Sequence, residues 1–446
     1  MTSNRDDSQG GDGSRVRALS RRTLLKGAGA AALVLRFPAA HAAGSRTLRI
    51  GCVAAISGPG ALFGAPIGFV KKQLEKIFRG GLRIGGKRYS VEIILRDSQS
   101  SINVTTQVAT ELMTRDKVDL IVAPEGLTSI GAGQMAVVNR VPIVSTLFPA
   151  DAVIALRGGP QAYGNNGTPW TFHFLFETAD IGDVYLGMWQ PVRHKTNEIV
   201  GTFYVDQPAA RGFADPQHGL PAALRKGGYT KTVDAGMFKV ETDDFSNQVS
   251  TFKKGNAQIL TGFMFANHFA SFWRGAAQGG YKPQIVTIAG AFLFPGGVDA
   301  LGDRGDGMST EIWWSPKLPY VSSLTGQSAR ALAAAWEASQ GEQWTPALGY
   351  THAVWEVAVH ALKTSGDPKN REAVRAALAK TDMDTVVGKI DFTKGPVPGI
   401  AKTALVAGQW RRAKKGKYKY DLLVTYAGAT SAFKVEDEFK LLSELG

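Results

Sequence analysis

Cysteine is almost absent from this sequence, since Cys52 is the only one among 446 residues. A single cysteine excludes an intramolecular disulfide. Cys52 stands within an apolar segment of strand length, which predicts a buried and unreactive thiol. Long apolar runs are also missing after residue 42. Because about 18 consecutive apolar residues are needed to cross a bilayer, no transmembrane helix is predicted there.

Catalytic motifs are missing as well. The sequence has no G-x-S-x-G, no H-E-x-x-H and no G-x-x-x-x-G-K-[ST], so the commonest nucleophile, zinc and phosphate-loop sites are not indicated. Gly131–Ala136 formally fits G-x-G-x-x-A, but it lies inside a predicted helix and does not predict a dinucleotide site. The seven histidines are scattered and lack the close partners that a metal site needs. We expect no catalytic residue, no metal, no cofactor and no enzymatic activity.

Negative charge is in the minority, with 51 Lys and Arg against 38 Asp and Glu and a net charge of +13. Part of the excess lies in the basic run Arg411–Lys417, and such a run is more often a solvated turn than a binding surface. Aromatic residues do not alternate along a basic face, so no nucleic-acid partner is expected. The composition, with 44% apolar and 20% charged residues, is typical of a globular protein. We also expect the protein to be a monomer.

The N-terminal segment has the features of an export signal. Paired arginines, Arg21 and Arg22, precede the short apolar run Gly27–Leu35, and Ala40-His41-Ala42 fits an A-x-A cleavage pattern. This order predicts a twin-arginine-type signal peptide over residues 1–42, cleaved near Ala42. The mature protein is therefore expected in the periplasm.

After the signal, apolar runs of strand length alternate with amphipathic segments of helix length. The alternation begins with a strand at Thr47–Ala55 and runs to about residue 146. It restarts after the Gly- and Asn-rich break Gly158–Gly167, and helices over 328–380 and a β-rich tail follow. This order predicts an α/β protein with parallel sheets covered by helices on both faces. A chain of about 400 residues after the signal exceeds what one core usually supports, so two lobes are expected.

Several segments resemble a known family in their order and spacing. They are Ile56–Gly64, Gly80–Leu82, Arg96–Gln99, Val118–Pro124, Val141–Val144, Asp244–Ser246, Arg274–Tyr281 and Asp384–Phe392. Together they are similar to the substrate-binding proteins of ABC importers, specifically the leucine/isoleucine/valine-binding family of type I periplasmic binding proteins. The resemblance runs from about residue 47 to residue 410.

The resemblance implies two doubly wound parallel-sheet lobes joined by three crossover segments. Lobe 1 would comprise residues 46–176 and 311–387, and lobe 2 residues 177–310 and 388–446. One small ligand would be held in the cleft between the lobes, and hinge closure would present the loaded form to an ABC permease in the inner membrane.

The resemblance also implies the site residues in lobe 1. Thr128 and Ser129 match the hydroxyl cluster that holds the ligand carboxylate, although simple N-capping of a helix explains them equally well. Phe148 follows the next strand, where the family presents backbone groups to the ligand. Phe63 occupies the position of an aromatic lid, and core packing is its alternative role.

In lobe 2 the resemblance implies Asp206, Arg211, Phe265 and Gly290 as ligand-binding residues. Arg211 could contact a carboxylate in bidentate fashion. Amino-acid binders of the family carry an acidic residue where this chain has Ala289. Because a buried ammonium needs a counter-charge, either another acid such as Asp206 or Glu125 substitutes, or the ligand has no ammonium.

Three ligand classes follow: a branched-chain amino acid, an aromatic or aliphatic acid, and an amide or urea-type compound. The function predicted is that of a solute-binding component of an ABC importer. Two alternatives use the same fold: an exported ligand sensor, and an exported cofactor-dependent enzyme.

Overall fold

The computed structural model describes residues 46–163, 169–428 and 433–445. The predicted signal peptide and its cleavage site near Ala42 lie outside these residues. Within them, no helix combines the length and apolar character needed to span a bilayer, and no cluster of three or more His, Cys, Asp or Glu side chains is arranged to hold a metal ion.

The strands are β1 Thr47–Ala54, β2 Leu82–Ile84, β3 Lys87–Asp97, β4 Leu120–Ala123, β5 Ile143–Thr146, β6 Thr171–Phe174, β7 Val200–Val205, β8 Thr232–Phe238, β9 Ile259–Phe263, β10 Ile285–Ala289, β11 Ser309–Ile312, β12 Asp382–Thr385, β13 Gly388–Asp391, β14 Ile400–Ala401, β15 Val406–Arg412 and β16 Tyr420–Tyr426. The α-helices are α1 Ala61–Gly64, α2 Pro66–Phe78, α3 Ile102–Thr114, α4 Gly126–Asn139, α5 Ala150–Leu156, α6 Thr178–Trp189, α7 Pro208–Phe213, α8 Leu220–Lys226, α9 Ser246–Lys254, α10 Ala266–Gln278, α11 Pro295–Asp299, α12 Ala329–Gln340, α13 Pro346–Thr364 and α14 Arg371–Ala379. These elements form two sheets of seven strands each and one hairpin, β12–β13.

The first sheet has the strand order β14-β6-β5-β4-β1-β3-β2, parallel except for the edge strand β2. Side chains alternate between the two faces of its central strands, and both faces are buried because helices cover each of them. Val53 and Ile121 pack with α3 and α4 on one face. Ile50 and Val122 belong to the larger core on the other face, where α13 packs against α2, β4 and β5.

The second sheet has the order β16-β15-β11-β10-β9-β7-β8. Strands β7 to β11 run parallel, whereas β15 pairs antiparallel with both β11 and β16. Phe203 and Phe252 lie with ring centroids 5.1 Å apart, and Phe203 and Phe272 4.7 Å apart. Aromatic side chains therefore fill much of the space between this sheet and helices α9 and α10.

The chain passes between the two sheets three times, after β6, after β11 and after β14, as predicted. The predicted boundaries of two of the passages need correction. Glu311 lies inside β11 of the second sheet, so that passage begins after Ile312. Ile400 and Ala401 pair with β6 of the first sheet, so the chain returns to the second sheet after Ala401 rather than at residue 388.

The crossover segments are tied to one another and to the first lobe. Lys402 Nζ lies 2.7 Å from Glu177 and 3.1 Å from Asp180, which joins the third crossover to the first. Trp314 Nε1 donates to the Val386 carbonyl at 2.9 Å and so joins the second crossover to the β12–β13 hairpin. These contacts tie the third crossover to the first, and the second crossover to the hairpin.

Gly349 of α13 makes room for the second crossover. A Cβ added there would lie 2.4–2.5 Å from the ring of Trp314. We expect Gly349→Ala to lower the free energy of unfolding by about 1–3 kcal/mol, the usual cost of overpacking. Gly68→Ala in α2 is the control, since nothing lies within 4 Å of the added methyl and alanine favours a helix by about 1 kcal/mol. Urea unfolding of both variants would test this; equal effects would contradict the role of Gly349.

Candidate functional site

A cavity of about 240 Å³ lies where the carboxyl ends of strands from both sheets face each other. This is the edge at which open parallel sheets bind ligands. The lining residues are Pro59, Gly60, Phe63, Ser100, Glu125, Gly126, Leu127, Leu147, Phe148, Pro149, Leu175, Phe176, Ile181, Gln207, Pro208, Ala209, Phe213, Val240, Phe263, Phe265, Leu293, Glu311 and Trp313. Most of these side chains are apolar, and the charged ones are two glutamates.

Three of the residues predicted for the site line the cavity, namely Phe63, Phe148 and Phe265. The predicted hydroxyl cluster does not. Thr128 and Ser129 are fully buried, and their hydroxyls donate to the carbonyl oxygens of Glu125, the cap of α4, and of Gly126 in its first turn. In this structure both hydroxyls donate to backbone carbonyls at the start of α4, so their contact with a ligand carboxylate stays a prediction from the resemblance.

The predicted polar residues of lobe 2 also lie away from the cavity lining. Asp206 and Arg211 are exposed and form a salt bridge with each other at 2.8 Å. The lining is supplied instead by the next residues along the chain, Gln207–Ala209. Gly290 is not among the lining residues either. Its φ of +79° requires a left-handed backbone, and a Cβ there would lie 2.8 Å from the Met264 carbonyl oxygen, so its role is to shape the end of β10.

A buried histidine, His173, hydrogen-bonds the backbone of Phe148, one of the residues that line the cavity. His173 Nε2 lies 2.8 Å from the Phe148 carbonyl oxygen, and its Nδ1 lies 2.9 Å from Ser145 Oγ. Because a carbonyl oxygen only accepts, Nε2 carries the proton and Nδ1 accepts from the serine. Burial, together with the nearby positive charge of Arg157, lowers the pKa of His173 to about 3. The histidine is therefore neutral at ordinary pH.

Glu125 caps helix α4 and faces the cavity. Its carboxylate oxygens accept from Leu127 N at 3.2 Å and from Thr128 N at 3.3 Å. These are backbone donors at the positive end of the helix dipole, which suits an anion. Burial nevertheless raises the pKa of Glu125 to about 7, against the lowering effect of the two hydrogen bonds.

Glu311 is the second acid of the cavity and projects from β11 close to a crossover. It is almost completely buried. The Tyr185 hydroxyl donates to Oε2 of Glu311, and Thr310 Oγ1 donates to the same oxygen at 2.9 Å. Burial raises the pKa of Glu311 although these hydrogen bonds lower it.

Aromatic contacts connect the two sides of the cavity. The Phe63 ring, from the first lobe, meets Phe294 edge-on at 4.9 Å and stacks on Trp313 at 5.9 Å. Trp313 also contacts Phe176 at 5.6 Å. Because Phe294 follows β10 of the second sheet, Phe63 packs across the cleft, and Trp313 lies at the point where a crossover begins.

Sequence reasoning missed Glu311, Trp313 and Gln207. The short strand Ser309–Ile312 has three polar residues in four, so its apolar pattern was too weak to predict a strand. The sequence does carry one signal, since Glu311 stands two residues before the pair Trp313-Trp314, and an acidic residue beside such large apolar side chains is unusual.

The fold and the cleft define a class of protein: two doubly wound α/β lobes, three crossovers, and an apolar cavity of metabolite size between them. A family model described as periplasmic binding protein matches residues 47–417. The chain therefore belongs to the periplasmic binding protein family, and the resemblance and fold class predicted from the sequence are confirmed.

Solved structures of similar fold include ABC-transporter solute-binding proteins. One, from Rhodopseudomonas palustris BisB5 in complex with 3,4-dihydroxybenzoic acid, is 18% identical with a TM-score of 0.66 over 86% of this chain and 98% of that one. The branched-chain amino acid binding protein LivJ of Streptococcus pneumoniae, in complex with isoleucine, is 17% identical with a TM-score of 0.64 over 84% and 99%. An R. palustris protein in complex with benzoate is 18% identical with a TM-score of 0.65 over 86% and 98%. At sequence identities of 17–18%, the similarity to these three structures shows a shared fold and says nothing about the ligand.

Proposed function

We propose that this chain is the exported solute-binding component of an ABC importer. It captures one small organic molecule with an apolar body between its lobes and presents the closed form to a permease in the inner membrane. The observation that carries the proposal is the cavity at the facing carboxyl ends of the two sheets, crossed by the Phe63–Phe294 contact. Family membership supports the transport role, and residues 1–42 support export to the periplasm.

The ligand body follows from the walls of the cavity. Phe148, Phe263 and Phe265 contribute rings, and about 240 Å³ is smaller than the roughly 300–1,000 Å³ that drug-sized ligands occupy. A branched aliphatic chain or a single aromatic ring fits this description. The amino acids and aromatic or aliphatic acids expected from the sequence share such a body, as do isoleucine and benzoate, with which two solved relatives form complexes.

The proposed function is tested by binding and closure together. Thermal unfolding is followed over amino acids, aromatic acids, short fatty acids, amides and amines, since a ligand at a hundredfold excess over Kd adds about 2.7 kcal/mol to stability. The best ligand is then added in small-angle scattering, where hinge closure is expected to reduce the radius of gyration. Turnover of the ligand, or binding without any closure, would contradict the proposal.

Phe265→Ala tests the walls of the cavity. The Phe265 ring lines the cleft and lies 6.3 Å from the ring of Phe263. We expect the substitution to weaken binding of the best ligand by about tenfold or more, because an aromatic wall supplies over 1 kcal/mol of contact. Phe69→Ala is the matched control, since Phe69 packs against Trp336 in the core of the first lobe. It is expected to reduce stability and leave Kd unchanged in calorimetric titration.

A further inference from the structure

The charged groups that line the cavity are of one sign. Glu125 and Glu311 are both there, and none of the described lining residues is lysine, arginine or histidine. The two glutamates are only 5% and 1% exposed, so solvent screens them little. A ligand that enters this space meets two carboxyl groups and no fixed cation.

The backbone donors that could hold an anion at α4 are already engaged. Leu127 N and Thr128 N donate to the Glu125 side chain, and Ser129 N donates to the Glu125 carbonyl at 3.1 Å. A ligand carboxylate at this position would have to displace the protein's own carboxylate and remain beside it. Burying a second negative charge without a partner is strongly unfavourable.

The second glutamate accepts its two hydroxyl hydrogen bonds on one oxygen. The hydrogen bonds from Tyr185 and Thr310 both reach Oε2 of Glu311, while Glu311 remains part of the cavity lining. The Trp313 indole also interacts with this carboxyl group, so a ligand N–H group would reach Oε1 beside that indole. The surrounding rings of Phe63, Phe265 and Trp313 suit this choice too, because aromatic faces attract a cation.

We propose that the ligand carries an N–H donor head group without a carboxylate, such as a primary amine or its amide counterpart, which Glu125 and Glu311 bind while the phenylalanines enclose its apolar body. This inference rests on the proposed function and specifies its ligand. The raised pKa of Glu125, about 7, is consistent with an acid that lacks its counter-charge while the cavity is empty.

The test uses compounds that share one body and differ in the head group. With the mature chain, titration calorimetry compares phenethylamine, 3-phenylpropionamide, phenylalanine and 3-phenylpropionate, and then isoamylamine, 4-methylvaleramide, leucine and 4-methylvalerate. We expect the amine or the amide to bind at least tenfold more tightly than the acid in each series in which binding occurs. The amino acid should fall between them.

Two variants assign the effect to the glutamates. Glu125→Gln and Glu311→Gln are each expected to lower the ratio of amine affinity to acid affinity at least tenfold, whereas a merely structural loss would weaken both ligands alike. Glu125→Asp should restore part of the ratio. Asp206→Asn, outside the cavity lining, is the control and should leave the ratio unchanged.

The outcomes separate this inference from the proposed function. An acid or amino acid that closes the lobes and binds as tightly as the tighter of the matched amine and amide overturns the inference and supports the solute-binding role. Ratios unchanged in both glutamine variants also overturn the inference. If no member of either series binds and no ligand of the thermal-unfolding screen closes the lobes, both proposals fail.

Discussion

Between pH 7 and pH 4, His173 is expected to cost this protein about 3 kcal/mol of stability. Burial lowers the pKa of His173 from 6.5 to about 3 in the folded chain, whereas the unfolded chain keeps the ordinary value. Below pH 6.5 the unfolded chain therefore binds a proton that the folded chain does not. The stabilisation is complete above pH 6.5 and is lost as pH falls toward 3, at about 1.4 kcal/mol per pH unit.

His173→Gln isolates this effect, because glutamine can still donate to the Phe148 carbonyl and does not titrate. The wild type is expected to be the more stable protein at pH 7. Its advantage over the variant, measured by urea unfolding, should fall by about 3 kcal/mol at pH 4. His194→Gln, at an exposed histidine, is the control and should show no such change. A constant difference between wild type and His173→Gln from pH 7 to pH 4 would mean that His173 does not remain neutral in the fold.

Trp313→Ala is expected to weaken ligand binding by about 30-fold or more, corresponding to at least 2 kcal/mol, the range of a central aromatic contact residue. Trp313 lines the cavity, stacks on Phe63 at 5.9 Å and contacts the tilted ring of Phe176 at 5.6 Å. The substitution removes one wall of the cavity. It also removes an aromatic partner of Phe63, whose ring packs across the cleft. The closed form should therefore also be less populated, which small-angle scattering with ligand would detect.

Trp336→Ala is the matched control for Trp313→Ala. Trp336 is buried in α12 against Phe69 at 5.6 Å, away from the cavity lining. Both substitutions are expected to destabilise the protein by about 3–5 kcal/mol, as is usual for a buried tryptophan. Only Trp313→Ala should change Kd. Equal effects on Kd would show that binding responds to general loosening of the fold rather than to the loss of the Trp313 wall.

The two buried groups around the cavity respond to acid in opposite directions. His173 stabilises the fold above pH 6.5, whereas the raised pKa of Glu125 favours the folded state below its ordinary pKa of 4.5. The Glu125 contribution is lost as pH rises through about 7, because the buried acid must then ionise. The pH dependence of the free energy of unfolding is therefore the sum of the His173 and Glu125 contributions. Variants that change one residue at a time are needed to separate them.

Much of the fold could be predicted from the sequence because local apolar patterns determine it. The strand at Thr47–Ala54 was predicted to within one residue, and its buried side chains include Cys52, the unreactive thiol expected there. Apolar residues at helical spacing over Leu62–Phe78 predict one helix, which the structure divides into α1 and α2, with Pro66 at the first position of the second helix. Proline is tolerated in the first turn of a helix but not in its interior.

The site was less predictable. Phe63, Phe148 and Phe265 were predicted from the resemblance to the family, and the structure places all three in the cavity lining. Thr128 and Ser129 could not be placed by pattern, since hydroxyls in a first helical turn bond equally well to a ligand or to the helix itself. The structure has them bonded to the helix.

The sequence by itself determined the alternation of strands and helices, the two lobes, and the membership in a family of binding proteins. The alternation follows from apolar periodicity among near neighbours, the two lobes follow from the length of the chain, and the family follows from the resemblance of local segments. Only the tertiary structure decided that Ile400 pairs in the first sheet while Val406 pairs in the second, and that Glu125 and Glu311 line the same cavity. Contacts between residues so far apart in the chain depend on how whole sheets pack, which no local pattern encodes.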